Sequence, residues 1–191
     1  MPSDLKSAED RSASDKRSAI SAARKDAHAF RGALLDKYAR LERSLAPILL
    51  HASTLPEYGA VSGKPPHLFG QKIAALRKIV EAKGPMKAGL ANLTAYLDEL
   101  AYYDETRNFM SHAVVETALT EHGETVFIFR MLKLANGRAE QATLTISRDE
   151  ATMLSKRVGE IVNMAARDLN IVGKKYQDKI VNLPTTRPYL P

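Results

Sequence analysis

Three side chains that could do chemistry lie close together in the middle of the chain, at Arg107, Asn108 and His112. They follow a run of apolar residues with the three- and four-residue spacing of a buried helix face. That run comprises Leu90, Leu93, Leu97, Leu100 and Ala101. Burying a guanidinium, a carboxamide and an imidazole without partners costs free energy. The cluster must therefore either be satisfied within a core or form a site.

The spacing of these residues indicates which chemistry they could share. On a helix, Asn108 and His112 are four residues apart and project from one face, which Glu105 joins. Arg107 lies about 140° around the helix from His112. An imidazole can take or give a proton near neutral pH, and the donors of a guanidinium suit a phosphate. The cluster therefore points to acid–base chemistry at a phosphate.

The residues Arg107-Asn108-x-x-x-His112 resemble the signature of the HEPN superfamily, all-helical domains that include many metal-independent endoribonucleases. The resemblance covers mainly residues 68–120. It implies a helical bundle that forms a homodimer, with two copies of the motif in one cleft. It also implies RNA as a partner, cleaved by attack of the ribose 2′-hydroxyl to leave a 2′,3′-cyclic phosphate. Some HEPN proteins are not nucleases, and some pair with a nucleotidyltransferase in a toxin–antitoxin-like system.

Under this resemblance, the catalytic residues are Arg107, Asn108 and His112. His112 would be the acid–base group, Arg107 would stabilise charge on the phosphorus centre, and Asn108 would orient either one. The expected substrate-binding residues are Tyr103, Glu105 and Ser111, of which Tyr103 offers a hydroxyl or a stacking surface.

A non-enzymatic interpretation accounts for the same residues. Arg107 would pair with Asp104 or Glu105, Asn108 would cap a helix, and His112 would be a satisfied core histidine. The chain would then be a helical dimerisation or interaction module whose protein partner the sequence does not identify.

The composition excludes several classes of site. The chain has no cysteine, which removes disulfides, thiolate catalysis and cysteine–zinc sites. Its five histidines lack the spacing of metal ligands, so neither a metal nor another cofactor is expected. The net charge of +6 suits an acidic partner, but the surplus lies towards the two ends of the chain. Residues 104–147 carry four cations and six anions. Solvated helix faces explain this distribution better than a nucleic-acid stripe does.

No apolar run approaches the roughly 20 residues that span a bilayer, and no signal peptide is evident. The sequence therefore predicts a cytoplasmic protein without a membrane segment.

The hydrophobic periodicity predicts a mainly α fold, a HEPN-like helical bundle with a two-stranded antiparallel hairpin before the last long helix. Residues 1–15 are predicted to be disordered or a frayed helix, residues 16–173 a single helical domain, and residues 174–191 a tail. Six residues are predicted to lie in the core: Leu93, Leu97, Leu100, Val158, Ile161 and Val162.

The boundaries of the first helices follow from periodicity and from proline and glycine. A long helix is expected from about Ser18, with Pro47 near its end, followed by a loop over residues 53–67. A second helix is expected over residues 68–82. A third is expected from about Met86, with a pause near Asp104 and a restart through the motif to about Leu119.

The last third of the chain is predicted to hold the hairpin and the final helix. Alternating residues around Asn136-Gly137 indicate a hairpin at about residues 124–146. Ser147 and Glu150 have the spacing of a capping box that opens the last helix, and Gly173 is expected to end it.

Overall fold

The structure is a computed structural model of the chain and describes residues 3–61, 66–135 and 137–176. Two compact units are present. The first contains Met1–Tyr38 and Glu99–Ile161, and the second contains Ala39–Asp98 and Val162–Pro191. Each unit thus takes one segment from each half of the chain.

The described residues form five α-helices and one three-stranded sheet. The helices are α1 (Ser3–Ala52), α2 (Phe69–Glu81), α3 (Leu93–Tyr102), α4 (Asp104–His112) and α5 (Arg148–Lys175). The strands are β1 (Val114–Leu119), β2 (Thr125–Ala135) and β3 (Arg138–Ser147). Two short 3₁₀ segments, Pro56–Val61 and Lys87–Leu90, complete the elements. The mainly helical class is confirmed.

Helix α1 follows the apolar stripe that the sequence predicts. Buried side chains recur along it at three- and four-residue steps: Ala23, Ala27, Phe30, Leu34, Tyr38, Leu41, Leu45 and Ile48. The helix begins at Ser3 rather than at about Ser18. Pro47 lies inside the helix, one turn before its end at Ala52.

The helix that carries the motif is shorter than predicted. Its restart near Asp104 is confirmed, since α3 ends at Tyr102 and α4 begins at Asp104. The extension to about Leu119 is wrong, because α4 ends at His112 and Val114 starts a strand. Val114 and Val115 are β-branched residues, which suit a pleated surface better than a helix.

The sheet has three strands in the order β1-β2-β3, so the prediction of a two-stranded hairpin is wrong in its count. Both pairings are antiparallel, and Phe129 lies opposite Val115 on one side and Leu144 on the other. The predicted β2–β3 hairpin is present, with Gly137 at a φ of +75° that glycine adopts readily. Asn136 lies outside the described residues.

In the first unit, α1 covers the inner face of the sheet. The ring of Phe30 stacks on that of Phe127 and meets Phe129 edge-on, each with a centroid distance of 6.3 Å. Lys37 Nζ donates to Ser155 Oγ at 2.5 Å, which joins α1 to α5. These contacts fix the sheet and α5 against α1.

In the second unit, the buried phenol of Tyr58 organises a turn between helices. The backbone N–H of Met86 donates to the Tyr58 hydroxyl at 2.8 Å. Gly84 lies against the same ring, where a Cβ would stand 2.3 Å from Tyr58 Cζ. A side chain at position 84 would therefore displace the ring and break the hydrogen bond.

The start of α5 is the predicted capping box. The backbone N–H of Ser147 donates to Glu150 Oε2 at 2.8 Å, and the N–H of Glu150 donates to Ser147 Oγ at 3.2 Å. These bonds hold the pKa of the Glu150 carboxyl below its ordinary value. The predicted end at Gly173 is wrong, since α5 continues to Lys175. Residues 177–191 of the predicted tail lie outside the described residues.

The predicted core is confirmed at each of its six positions, all of which are 4% exposed or less. The single domain over residues 16–173 and the HEPN-like arrangement of the helices stay predictions.

Candidate functional site

Helix α4 carries all three motif residues, and its N-terminal end is already occupied by acidic side chains. Asp104 and Glu105 lie in the first turn, where carboxylates interact favourably with the helix dipole. The backbone N–H of Arg107 donates to the carbonyl of Tyr103 at 2.9 Å. A phosphate is therefore not expected at this end of α4.

Arg107 is half-buried and lies against helix α1. Its guanidinium carbon is 5.8 Å from the centroid of the Tyr38 ring, within the range of a cation–π contact. Burial, and after it the carboxylate of Asp104, raises the pKa of the Tyr38 phenol far above its usual range, while Arg107 opposes the shift. The phenol is therefore neutral at physiological pH, and Arg107 rests on an uncharged ring.

His112 is the last residue of α4 and is exposed. It follows Asn108 by four residues, so both project from one side of α4. Asn108 and Ser111 are each half-buried. The interpretation of His112 as a core histidine is therefore wrong.

Arg31 on α1 braces the end of the helix that bears His112. Its Nη1 donates to the carbonyl of Ala113 at 3.1 Å, and its Nη2 donates to that of Ser111 at 3.4 Å. A cation at a helix C-terminus also interacts favourably with the dipole. Sequence reasoning missed Arg31, because a long-range contact to backbone carbonyls leaves no local pattern.

An open groove of about 1030 Å³ runs along the side of α4 that carries Glu105, Thr106 and Phe109. Its walls come from the end of α3, from α4, from five consecutive residues of β3 and from the start of α5. Two of the predicted substrate-binding residues, Tyr103 and Glu105, line this groove. The third, Ser111, and the three catalytic candidates are not among its lining residues.

Both predicted binding residues in the groove have neighbours of their own. Glu105 Oε1 accepts a hydrogen bond from Lys133 Nζ at 2.5 Å, so its carboxylate has a cationic partner. Tyr103 meets Tyr102 edge-on at a centroid distance of 5.1 Å, and Tyr102 is 82% exposed. The groove thus offers an exposed aromatic ring, beside the capping-box carboxylate of Glu150.

The structure therefore divides the six predicted site residues between three surroundings. Arg107 lies against Tyr38, and Tyr103 and Glu105 line the groove. The half-buried Asn108 and Ser111 and the exposed His112 lie in the second half of α4 and do not line the groove. Because Arg107 and His112 are five residues apart on one helix, they are about 140° apart around it. One copy of α4 therefore presents the two side chains on different sides.

Within residues 3–61, 66–135 and 137–176, no three His, Asp or Glu side chains cluster closely enough to hold a metal ion. No helix in this described part of the chain has the length and apolar character that a membrane crossing requires.

Comparison with known proteins assigns no family. No family model, no curated protein and no solved structure matches the chain. The HEPN resemblance therefore rests on Arg107, Asn108 and His112 themselves.

Proposed function

We propose that this chain is a HEPN-like RNA-binding protein that cleaves RNA as a homodimer without a metal ion, using Arg107, Asn108 and His112. The exposure of His112 is the observation that carries the proposal, since an imidazole at the surface can reach a ribose hydroxyl. Asn108 on the same side of α4 can hold either the imidazole or a phosphate oxygen.

The proposed reaction is an internal transfer within RNA. One His112 removes the proton from a ribose 2′-hydroxyl, the 2′-oxygen bonds to phosphorus, and the bond from phosphorus to the 5′-oxygen breaks. A second protonated His112, from the other copy, gives its proton to the leaving 5′-oxygen. A guanidinium of Arg107 stabilises charge on the non-bridging oxygens.

The division of the motif around α4 supports a role for a second copy. One helix carries Arg107 and His112 on different sides, so a twofold axis is the simplest way to bring a guanidinium and an imidazole to one phosphate. The exposed ring of Tyr102 supplies a surface on which an RNA base could stack.

The first test compares single substitutions at two exposed histidines. His112→Ala is expected to abolish cleavage of several RNA types in excess EDTA, because it removes the acid–base group. His122→Ala is the matched control, since His122 is also exposed but lies in the turn between β1 and β2. Intact RNA with the wild-type protein, or equal cleavage by the His112→Ala variant, would refute the nuclease.

A second function is favoured by one contact, that of Arg107 with the Tyr38 ring. In this alternative the motif is a structural polar network of a helical dimerisation or interaction module. Arg107→Ala would then lower the melting temperature, while His112→Ala would leave RNA intact as the wild type does. Under the nuclease hypothesis, His112→Ala removes cleavage and leaves the melting temperature unchanged or raised.

A further inference from the structure

One face of the sheet is turned away from α1 and carries apolar side chains at the surface. Residues that pair across antiparallel strands point to the same side, so the register defines this outer face. Its side chains are those of Val114, Glu116 and Ala118 on β1, of Val126, Ile128, Arg130, Leu132 and Leu134 on β2, and of Ala139, Gln141, Thr143, Thr145 and Ser147 on β3. Phe127 and Phe129 point to the opposite face, which α1 covers.

The outer face is more apolar than a solvated sheet surface usually is. An antiparallel sheet with one covered face normally shows polar residues on the other. Here four of the five outer residues on β2 are aliphatic, and Leu132 and Leu134 are 76% and 88% exposed. Val114 on the neighbouring strand is 67% exposed. Contiguous exposed apolar residues of this kind mark contact surfaces.

The charges on the outer face favour a protein, and not a nucleic acid or a membrane, as its binding partner. The face holds one cation and one anion, with Arg130 Nε donating to Glu116 Oε2 at 3.1 Å. Nucleic acids and anionic membranes are bound by an excess of lysine and arginine, which this face lacks. A neutral surface with one charge of each sign is instead complementary to itself.

A twofold axis between two copies defines which residues of the two outer faces would meet. An axis that crosses the strands at the level of Phe129 places Arg130 opposite Ile128 of a second copy, and level with that copy's Glu116 on the neighbouring strand. The same axis places Leu132 opposite Val126 of the second copy. One symmetry operation thus sets aliphatic residues of the two β2 strands against each other and brings each Arg130 near the other copy's Glu116.

The size of the face indicates how strong such a contact would be. Its longest strand has 11 residues, and three strands at ordinary spacing give a face of about 37 by 14 Å. Two copies would bury on the order of 1,000 Å², somewhat below the roughly 1,600 Å² of a standard stable interface. The contact is therefore large enough for a reversible dimer that depends on concentration.

We propose that the outer face is the contact surface between two copies of this chain, packed sheet against sheet. The strands of the two sheets would lie roughly 10 Å apart across the interface. Val114 follows His112 by two residues, so the interface begins beside the proposed site. The inference rests on the sheet alone and is independent of RNA cleavage.

Sedimentation of the full chain from low to high micromolar concentration tests the inference. The wild type is expected to shift from monomer to dimer, whereas Leu132→Asp and Leu134→Asp each weaken association at least tenfold. Ile171→Asp is the control, since Ile171 is 63% exposed but lies on α5, and it should associate as the wild type does. A wild type that stays monomeric, or aspartate variants on β2 that dimerise equally well, would overturn the inference.

A charge exchange distinguishes a twofold sheet contact from a general loss of solubility. Arg130→Glu and Glu116→Arg each bring like charges near one another across the interface and are expected to weaken the dimer. An equal mixture of these two variants restores opposite charges and should associate more strongly than either variant alone. Failure of the mixture to do so would reject the twofold packing. A dimer that leaves RNA intact would overturn the nuclease alone, whereas RNA cleavage by a monomeric wild type would overturn both this interface and the two-copy mechanism.

Discussion

Tyr38 and Arg107 show how a buried ring can hold a motif residue in place. Tyr38 is 2% exposed on α1, and the guanidinium of Arg107 lies over its ring. The contact restricts a long side chain that would otherwise sample many rotamers, which reduces the entropy lost when it binds an anion. Tyr38 is therefore expected to position Arg107 without touching substrate.

The raised pKa of Tyr38 predicts how stability changes in alkali. An unfolded tyrosine ionises at about pH 10, whereas burial keeps the folded phenol protonated to higher pH. Its contribution is therefore complete below about pH 10 and is lost as the pH rises above that value. The melting temperature of the wild type, measured relative to that of Tyr38→Phe, should fall from pH 8 to pH 11. A constant difference between the two proteins would contradict the prediction.

The hydrogen bonds of Arg31 at the end of α4 are expected to contribute measurably to stability. Arg31→Ala removes charge-assisted donors from the carbonyls of Ser111 and Ala113, and should reduce the free energy of unfolding by about 1–3 kcal/mol in urea. Arg24→Ala is the matched control on α1, since Arg24 is exposed. Equal stability of the two variants would show that the hydrogen bonds of Arg31 do not contribute to stability.

For the site residues, the sequence predicts the relations that local helical spacing sets, but not the contacts that long-range packing creates. Asn108 and His112 fall on one side of α4 because helical geometry fixes their relation. The contact of Arg107 with Tyr38, and that of Arg31 with Ala113, join residues far apart in the chain. No periodicity within one segment contains that information.

At the scale of elements, the misassigned segment after His112 shows how tertiary pairing overrides a local pattern. Ala113, Val114 and Val115 continue an apolar run, which the three-four pattern extends as a helix. In the structure, Val115 is buried and Val114 is exposed, the alternation of a strand. The edge of β2 provides the hydrogen-bonding partner for β1, and that edge is not visible from residues 114–119 alone.

Helix α3 gives the opposite case, since its core face follows directly from periodicity. Leu97 is 1% exposed, so Leu97→Ala should lower the free energy of unfolding by about 2–5 kcal/mol. Thr94→Ala on the exposed side of the same helix is the control and should change little. Chemical denaturation measures both, and a Leu97→Ala variant within error of the wild type would mean that the site does not pack as described.

At the scale of the whole molecule, periodicity predicts the elements better than their grouping. The α2 helix, the β2–β3 hairpin and the capping box at Ser147 all lie close to their predicted places. The two compact units do not follow from sequence, because each combines segments from both halves of the chain. Hydrophobic stripes indicate which face is buried, but not which other stripe covers it.

The division of α1 between the two units has a consequence during synthesis. Phe30 leaves the ribosome long before Phe127 and Phe129, the rings that it packs against. At about 5–20 residues per second, the interval lasts several seconds, during which the apolar stripe of α1 is uncovered. Neither unit can close until the chain has been made as far as α5. A nascent chain of this protein should therefore present one long amphipathic helix, a suitable client for a ribosome-associated chaperone.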